Sequence, residues 1–274
     1  MYTLIDKLED LTYLNNELLS KDFVSVDTEF RRTHKDNMKL ALIQVNDQEE
    51  IYIIDTILIE DPKKSASFLL SDKVQKVLHS CKEDLEAIQS WTGSKVANIF
   101  DTQIANALLN DEFSISYQNL VFKKLGIELE KKETRSNWLK RPLSENQLKY
   151  ASLDVEYLNY IYTEQLNELR CSEKLDWHDQ EIQKILEQAF SSHAEIELVR
   201  SISKSEENIL LEKFNNIIKE ISLKENINPT FFFSKKSQKD FLRLSFQFGF
   251  DKACMHITEW RKNLIKQDLS CLLK

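Results

Sequence analysis

Phe-Val-Ser-Val-Asp-Thr-Glu-Phe, at residues 23–30, is the most informative stretch of this sequence. Its apolar and β-branched residues predict a β-strand. Because successive side chains of a strand point to opposite faces, Asp27 and Glu29 share one face. Two neighbouring carboxylates repel each other unless a cation lies between them, and Mg²⁺ and Mn²⁺ prefer carboxylate oxygens. Taken alone, the pair fits either a divalent metal site or two solvated carboxylates at a strand end.

The composition indicates a globular protein with one large and one smaller domain. The chain has 274 residues, of which 42% are hydrophobic and 30% charged, without an apolar run long enough to cross a bilayer. The formal net charge of −8 argues against a protein that coats nucleic acid without specificity. The negative charge lies in residues 1–194, because residues 195–274 carry 14 basic and 11 acidic residues. An acidic domain can still approach a polyphosphate when divalent cations offset its carboxylates.

The cysteines and the first residues predict a cytoplasmic protein. Cys81, Cys171, Cys254 and Cys271 are widely separated and lack the spacing of a zinc site. Small buried thiols in a reducing compartment are the simplest interpretation. The first ten residues lack the basic start and apolar core of a secretion signal. We therefore expect a cytoplasmic location and no membrane association.

The order of strand and helix patterns predicts an α/β domain. Strand-like runs at Tyr2–Ile5, Leu40–Val45 and Ile51–Asp55 accompany the strand of Asp27, and Asp6 is placed to cap a helix between the first two strands. After Pro62, strands and helices alternate, which indicates parallel strands with helical crossovers. We expect a mixed sheet of about five strands flanked by helices.

The predicted elements after Pro62 are a helix at 63–70, a strand at 77–79, a helix at 82–91 and a strand at 98–101. From about Asp179 the sequence is helical almost throughout, with breaks near Ser203, at Asn228-Pro229 and at Gly249. A small all-α domain fits this second part.

One helix adds a third carboxylate to the candidate site. Ser144 and Gln147 have the spacing of a capping box, which predicts a helix start. Tyr150 and Asp154 follow four residues apart and therefore lie on one face of that helix. The same pattern also fits a core aromatic with a wet hydroxyl beside a surface charge.

A fourth acid lies at the junction between a predicted strand and a predicted helix, within residues 79–86. Sites in α/β sheets form at the carboxyl ends of parallel strands, and Asp84 is in the first turn of the helix that begins there. Glu83 and Glu86 are rival candidates. All three acids also fit the alternative that they complement the helix dipole.

Taken together, these motifs resemble the ribonuclease D family of DEDDy 3′-to-5′ exonucleases. The resemblance covers nearly all of residues 1–170, and the motifs are Val-Asp27-Thr-Glu29-Phe, His79-x4-Asp84-Leu, Phe100-Asp101-Thr102-Gln103 and Trp138-x2-Arg141-Pro142-Leu143-x3-Gln147-Leu-x-Tyr150-Ala-x2-Asp154-Val. The resemblance implies a ribonuclease-H-like fold, which agrees with the mixed sheet predicted above.

The resemblance also implies a role for each matched residue. Four acids would hold two divalent cations, Mg²⁺ or Mn²⁺: Asp27, Glu29, Asp84 and Asp154. Tyr150 matches the tyrosine of this subclass and, since its reference pKa is about 10, we expect it to orient the attacking water while neutral. Glu29 is further expected to contact the terminal 3′-hydroxyl, and Asp27 to contact both cations. We expect His79 and Asp101 to be structural.

Substrate contacts are predicted at several further residues. Phe30 and Trp138 could stack on a terminal base, although burial is the commoner fate of large aromatics. Arg141 or Arg135 could meet a phosphate, or be solvated. The segments Asn228–Phe233 and Trp260-Arg261 resemble HRDC helical domains.

A basic cluster lies in the second part of the chain. Lys235, Lys236, Lys239 and Arg243 fall near a predicted helix start and could hold RNA backbone, or form a solvated face. The predicted domains are an exonuclease domain at 1–175, a helical linker at 176–203 and a degenerate HRDC-like domain at 204–274.

The resulting hypothesis is a monomeric, metal-dependent 3′-to-5′ exoribonuclease. By resemblance it would trim the 3′ ends of structured RNAs such as tRNA precursors, release nucleoside 5′-monophosphates and need no obligate protein partner. One alternative is a DNA exonuclease of the same fold. Another is a catalytically silent RNA-binding scaffold, whose expected loss of a site acid is not seen here.

Overall fold

The computed structural model describes residues 2–34, 37–59, 65–110, 112–129, 136–190, 198 and 201–272. The chain forms two compact units. Unit 1 comprises Met1–Gln103 and Ser114–Asn167, and unit 2 comprises Ile104–Phe113 and Glu168–Lys274. The domain boundaries expected at residues 175 and 203 stay a prediction.

In the described part of unit 1, six strands form one mixed sheet in the order β1-β4-β3-β2-β5-β6. The strands are β1 Tyr2–Ile5, β2 Phe23–His34, β3 Asn37–Asn46, β4 Ile51–Asp55, β5 Gln75–Leu78 and β6 Ile99–Asp101. β2, β3 and β4 pair antiparallel, whereas β1 with β4, β2 with β5 and β5 with β6 pair parallel. The mixed sheet is confirmed. All six strands lie where the sequence patterns predicted a strand, and the short β1, which pairs with β4 at the edge, brings the expected count of about five to six.

β2 lies inside the sheet and fixes the position of the first two acids. Val24 and Val26 are fully buried, so one face of the strand is anchored in the core. Opposite β3, Asp27 pairs with Gln44 and Glu29 pairs with Leu42. The register shifts directly after Glu29, so the carboxylates precede an irregularity of the ladder.

The helices of unit 1 cover the sheet. They are α1 Leu8–Leu18, α2 Lys82–Thr92, α3 Thr102–Leu108, α4 Tyr117–Leu125, α5 Glu145–Glu156 and α6 Leu158–Cys171, of which α3 and α6 continue into unit 2. The predicted cap of α1 is wrong: the cap position is Lys7, which makes no side-chain cap bond, and Asp6 lies one residue too early. Of the helix expected at 63–70, residues 63 and 64 lie outside the described residues, and Ser67–Leu69 forms a 3₁₀ turn.

Unit 2 is helical in its described part, as expected. Its further helices are α7 Leu175–Phe190, α8 Lys204–Glu225, α9 Pro229–Phe232, α10 Lys235–Phe248, α11 Phe250–Cys254 and α12 Glu259–Leu272. The predicted breaks are confirmed, since Ser203 caps α8, Asn228 caps α9 and Gly249 separates α10 from α11 with a φ of 94°. A screen of the described residues finds no helix with the length and apolarity needed to span a membrane.

A buried ion pair holds part of the unit 2 core. Arg261 Nη1 donates to Glu181 Oε1 at 2.5 Å, and Thr258 Oγ1 and Trp260 Nε1 donate to the same oxygen at 2.8 Å. The remaining guanidinium nitrogens donate to the carbonyl oxygens of Phe231 and Phe232, both at 2.9 Å. The pair is therefore surrounded by hydrogen-bond partners on both sides.

Candidate active site

Three of the predicted acids converge in unit 1. Asp27 and Glu29 project from β2, and Asp154 projects from α5, which packs on the same sheet through the fully buried Ala151 and Leu42. Each acid offers one carboxylate oxygen, and these three oxygens all lie within 4.8 Å of one another. All three acids are half-buried and clustered, which favours the metal-site interpretation over isolated carboxylates at a strand end.

The start of α5 explains where Asp154 lies. Ser144 Oγ accepts from the Gln147 backbone N–H at 3.2 Å, and Gln147 Oε1 accepts from the Ser144 backbone N–H at 3.0 Å, so the predicted capping box is present. Tyr150 lies in the second turn of the helix and hydrogen-bonds to Asp154 one turn later. The cap therefore sets the helix register that brings this phenol and carboxylate together.

Asp84 approaches the site from the other side of β2. It lies in the first turn of α2, is only 8% exposed and accepts a hydrogen bond from Thr28 Oγ1 at 2.5 Å. Its rivals at this junction are engaged elsewhere, because Arg32 Nη2 donates to Glu86 at 2.6 Å and to Glu83 at 3.4 Å. Asp84 is therefore the acid of this turn that contacts β2, and the charge of Asp27 acts on it. Among the described residues, however, neither the cluster of carboxylate oxygens within 4.8 Å nor the pocket over it includes Asp84.

The electrostatics of the cluster favour a cation. Burial and then the charge of Asp154 raise the pKa of Asp27 well above its ordinary value. Burial, followed by the neighbouring acids, raises the pKa of Glu29 to about 10. Burial and Asp27 raise the pKa of Asp84, while the pKa of Asp154 rises to about 7 through burial, against the hydrogen bond from Tyr150. Removal of water and mutual repulsion thus both disfavour four unaccompanied anions.

A pocket of about 200 Å³ opens over these groups. Besides Tyr150 and the three clustered acids, its lining includes His79, Tyr117 and Gln118. Sequence reasoning missed Tyr117 and Gln118. The available signal was Ser116, whose side chain accepts from the Asn119 backbone N–H at 3.3 Å and so caps α4, placing both residues in its first turn.

His79 and Asp101 both bond to other groups of the protein, and the structural role expected for them stays a prediction. His79 Nδ1 lies 2.9 Å from Thr102 Oγ1 and Nε2 lies 2.9 Å from the Ile115 carbonyl oxygen, and burial lowers the pKa of the imidazole. Asp101 accepts from the backbone N–H groups of Ser80 at 3.2 Å and Cys81 at 2.8 Å. Asp101 therefore holds the turn that leads into α2 and Asp84.

The predicted substrate contacts have different surroundings. Trp138 is buried at 4% exposure, with its ring centroid 6.1 Å from that of Tyr150, whereas Phe30 is half-buried opposite Leu40. Arg141 Nη2 donates to the Ala41 carbonyl oxygen at 3.0 Å.

The other bonds of this guanidinium are also to protein oxygens. Arg141 Nε and Nη2 donate to the two Asp55 oxygens at 2.5 and 2.7 Å, and Nη1 donates to the Trp138 carbonyl oxygen at 2.6 Å. Its contact with a phosphate stays a prediction, and the rival Arg135 lies outside the described residues.

The basic cluster of unit 2 is at the start of α10. Lys235 and Lys236 are exposed and Lys239 is half-buried. Arg243 Nε instead donates to Glu207 at 2.7 Å, so this charge is already neutralised within the unit. Contacts of the three lysines with RNA stay a prediction.

The mixed sheet, with acids on an inner strand and on a helix packed against it, places unit 1 in the ribonuclease-H-like class of folds. Within that class the family is clear, because the family model described as 3′-5′ exonuclease matches residues 2–170. The chain belongs to this 3′-5′ exonuclease family. The family resemblance drawn from the motifs is thereby confirmed.

Curated relatives of the chain are ribonuclease D proteins. The chain is 42% identical to ribonuclease D of Pseudomonas paraeruginosa over 146 residues, which are 53% of this chain and 39% of the relative. It is 36% identical to ribonuclease D of Bartonella henselae over 188 residues, which are 68% of this chain and 46% of the relative. The matching region thus spans less than half the length of these relatives.

Solved structures share the fold. Escherichia coli RNase D, described as an exoribonuclease involved in structured RNA processing, superposes with a TM-score of 0.68 at 23% identity over 100% of this chain and 74% of that one. The catalytic core of RRP6 from Trypanosoma brucei gives 0.62 at 20% identity, over 100% and 79%. Brucella melitensis NrnC with bound Mg²⁺ gives 0.56 at 19% identity, over 69% and 94%.

Proposed function

We propose that this protein hydrolyses RNA from its 3′ end and releases nucleoside 5′-monophosphates. The observation that carries the proposal is the convergence of Asp27, Glu29 and Asp154 oxygens within 4.8 Å, beside Tyr150, in one pocket of a domain that belongs to the 3′-5′ exonuclease family. Family membership supports the reaction type, and the clustered acids support its dependence on metal.

The donor set fits divalent cations. Hard cations take carboxylate oxygens, and these carboxylates have pKa values raised by burial and by one another, so a cation relieves a cost that already exists. Asp27, Glu29 and Asp154 would hold one cation, with Asp27 shared and Asp84 completing the ligands of a second. When bound, such cations acidify the attacking water and offset the charge on the departing 3′-oxygen.

Tyr150 would act on the water that attacks the scissile phosphate. A phenol with an ordinary pKa of about 10 stays protonated near neutral pH, so its hydroxyl orients the water by hydrogen bonding rather than taking its proton. The hydrogen bond between Tyr150 and Asp154 holds the phenol at the pocket wall. Tyr150 is therefore assigned a positioning role beside the reacting atoms.

Glu29 would select the end of the chain. Its carboxylate lines the same small pocket as Asp27 and Tyr150, where it can accept a hydrogen bond from a terminal 3′-hydroxyl. An internal nucleotide carries a phosphate at that oxygen, which the acidic pocket would repel. The pocket thus favours removal of single nucleotides from an end.

The choice of RNA is the finer part of the proposal. The relatives are named ribonuclease D, and one structure of this fold is described as acting in structured RNA processing, which supports a substrate such as a tRNA precursor trimmed in the cytoplasm. The exposed Lys235 and Lys236 and the half-buried Lys239 would then contact the RNA backbone. The rival within the same class is a DNA exonuclease.

The decisive experiment compares matched RNA and DNA oligonucleotides labelled at the 5′ end. With Mg²⁺ or Mn²⁺ we expect a ladder of RNA products shortened one nucleotide at a time, release of nucleoside 5′-monophosphates, and no products in excess chelator. Asp154→Asn serves as the inactive control. Faster cleavage of DNA would favour the rival substrate, undiminished activity in chelator would contradict the metal requirement, and binding without cleavage would indicate a silent scaffold.

A further inference from the structure

Gln44 is an unusual residue of the sheet. It lies in β3 and is fully buried, at 0% exposure. Neither its amide nitrogen nor its amide oxygen has a hydrogen-bond partner among the described residues. Leaving a buried polar group unsatisfied destabilises the folded state, so a leucine of similar size would be the more stable choice here.

The ladder register places Gln44 beside the site. Gln44 is the residue of β3 directly opposite Asp27 of β2. Directly opposed residues of an antiparallel pair project from the same face, with their Cβ atoms about 4.5–5.5 Å apart. Gln44 is therefore the cross-strand neighbour of the acid that clusters with Glu29 and Asp154.

The next residue pair on the same face of the ladder, two residues away, has its polar groups hydrogen-bonded. Ser25 opposes Asn46, and Asn159 joins them: Ser25 Oγ donates to Asn159 Oδ1 at 2.5 Å and Asn159 Nδ2 donates to Asn46 Oδ1 at 3.0 Å. Asn46 Nδ2 then donates to the Val155 carbonyl oxygen at 3.1 Å. This network links α5 to the sheet, and among the bonds of these residues it does not extend to Gln44 and Asp27, the next pair on the same face.

We propose that Gln44 is a positioning residue for Asp27, whose carboxylate accepts a hydrogen bond from Gln44 Nε2 when the acids hold divalent cations. The proposal rests on the proposed metal-dependent function. A neutral amide donor can fix the rotamer of an ionised carboxylate without adding a positive charge that would compete with the cations. An apolar side chain would leave the carboxylate without that donor, and a lysine would oppose cation binding.

The test separates stability from cation binding. Gln44→Leu and the unbranched Gln44→Met both remove the unsatisfied amide. We expect both variants to raise the melting temperature measured in chelator, because a buried unpaired polar group is lost. We also expect Mn²⁺ affinity, measured by calorimetry on protein without RNA, to fall about tenfold, as is typical when a partner of a metal ligand is removed. With RNA, kcat should fall while KM is unchanged.

Thr56→Val is the matched control. The Thr56 hydroxyl is also buried without a partner among the described residues, and Thr56 follows directly after β4. This variant should raise the melting temperature in the same way and leave Mn²⁺ affinity and kcat at the wild-type values. The comparison isolates the position beside Asp27 from the general effect of removing an unpaired polar atom.

The outcomes are distinguishable. If either folded Gln44 variant binds Mn²⁺ as tightly as the wild type, Gln44 is only a core residue and the proposal is wrong. If wild-type protein does not cleave RNA, but Mn²⁺ binds and weakens in the Gln44 variants, the proposed function fails and the positioning role stands. If Thr56→Val loses affinity equally, the effect is not local to Asp27 and the proposal also fails.

Discussion

The two units differ in their buried charges: those of unit 1 are clustered and of like sign, whereas those of unit 2 form an ion pair. In unit 1, Asp27, Glu29 and Asp154 bring carboxylates of like charge within 4.8 Å of one another. In unit 2, the buried Glu181 meets the buried Arg261 and receives hydrogen bonds from neighbouring donors. One cluster concentrates negative charge, whereas the other neutralises it within the protein.

The pKa directions express the same difference. Burial acts on both clusters and by itself raises the pKa of a carboxyl group. At Glu181 the charge and hydrogen bonds of Arg261 outweigh burial and lower the pKa, while at Glu29 the other acids add to burial and the pKa rises to about 10. The paired charges of unit 2 stabilise the fold. The acid cluster of unit 1 destabilises it, and a ligand of opposite charge would relieve that repulsion.

The strongest test of this difference between the units is to neutralise an acid of unit 1. We expect Asp27→Asn to reduce hydrolysis of 3′-terminal nucleotides by about 10³-fold or more, because a carboxylate that we propose as a cation ligand is lost. In chelator the same variant should melt at an equal or higher temperature than the wild type at pH 7.5, since one repelling carboxylate is gone. A radiolabelled RNA assay and thermal unfolding measure the two effects.

A conservative variant of an exposed acid is the control. Asp10→Asn, at an exposed position in the first turn of α1, should leave the rate unchanged and lower the melting temperature only slightly, through a weaker interaction with the helix dipole. A large loss of stability in Asp27→Asn would show that the unit 1 acids are structural, and the contrast between the units would collapse.

The complementary change removes the cation of unit 2. Arg261→Met leaves Glu181 buried without its counter-charge, and we expect the free energy of unfolding to fall by about 3–5 kcal/mol. Lys262→Met on the same helix removes an exposed pair with Glu259 and should cost at most about 1 kcal/mol. Chemical denaturation of both variants checks the difference. Equal effects would mean that burial does not distinguish these pairs.

Lys76 is an intermediate case. It is fully buried, and its donor bonds to described residues go to carbonyl oxygens, of Ser71 at 2.5 Å and Val74 at 2.6 Å. Burial lowers its pKa to about 7 from an ordinary 10.5. Between these values the unfolded chain binds more protons than the folded one, so this residue makes stability rise with pH from about 7 to about 10.5.

The size of this effect follows from the pKa difference. It amounts to about 3–5 kcal/mol over the whole window. Lys76→Met lacks the titrating group, so its melting temperature should exceed that of the wild type most at pH 7 and progressively less toward pH 10. A difference that stays constant with pH would show that Lys76 is not titrating there.

The contrast between the units also explains what sequence reasoning could predict. The acids of unit 1 follow local rules: strand alternation places Asp27 with Glu29, and a capping box fixes the helix of Asp154. Such rules act over a few residues and are visible in one sequence. The helix cap proposed at Asp6 was wrong by a single position, which is the usual precision of such rules.

The remaining features depend on contacts between distant segments. Glu181 and Arg261 are 80 positions apart, and no spacing rule connects them. In the sequence, Gln44 is an ordinary polar residue, and only the β2–β3 register shows that it lies opposite Asp27. Gln118 lines the pocket because α4 begins at Tyr117. The sequence contains these residues, but tertiary packing decides which of them meet.

The smallest effect that we predict concerns Tyr150, which touches the acid cluster without carrying charge. Tyr150→Phe removes the hydroxyl that bonds Asp154 and would orient the water, while the ring keeps its packing near Trp138. We expect kcat to fall about 10–100-fold and Mn²⁺ affinity to fall at most about tenfold, because the hydroxyl bonds the Asp154 carboxylate without being one of the proposed cation ligands. Single-turnover cleavage and calorimetry measure these quantities. A larger loss of affinity would place the phenol among the metal ligands, and an unchanged rate would remove it from the mechanism, leaving the acids as the whole of the catalytic difference between the two units.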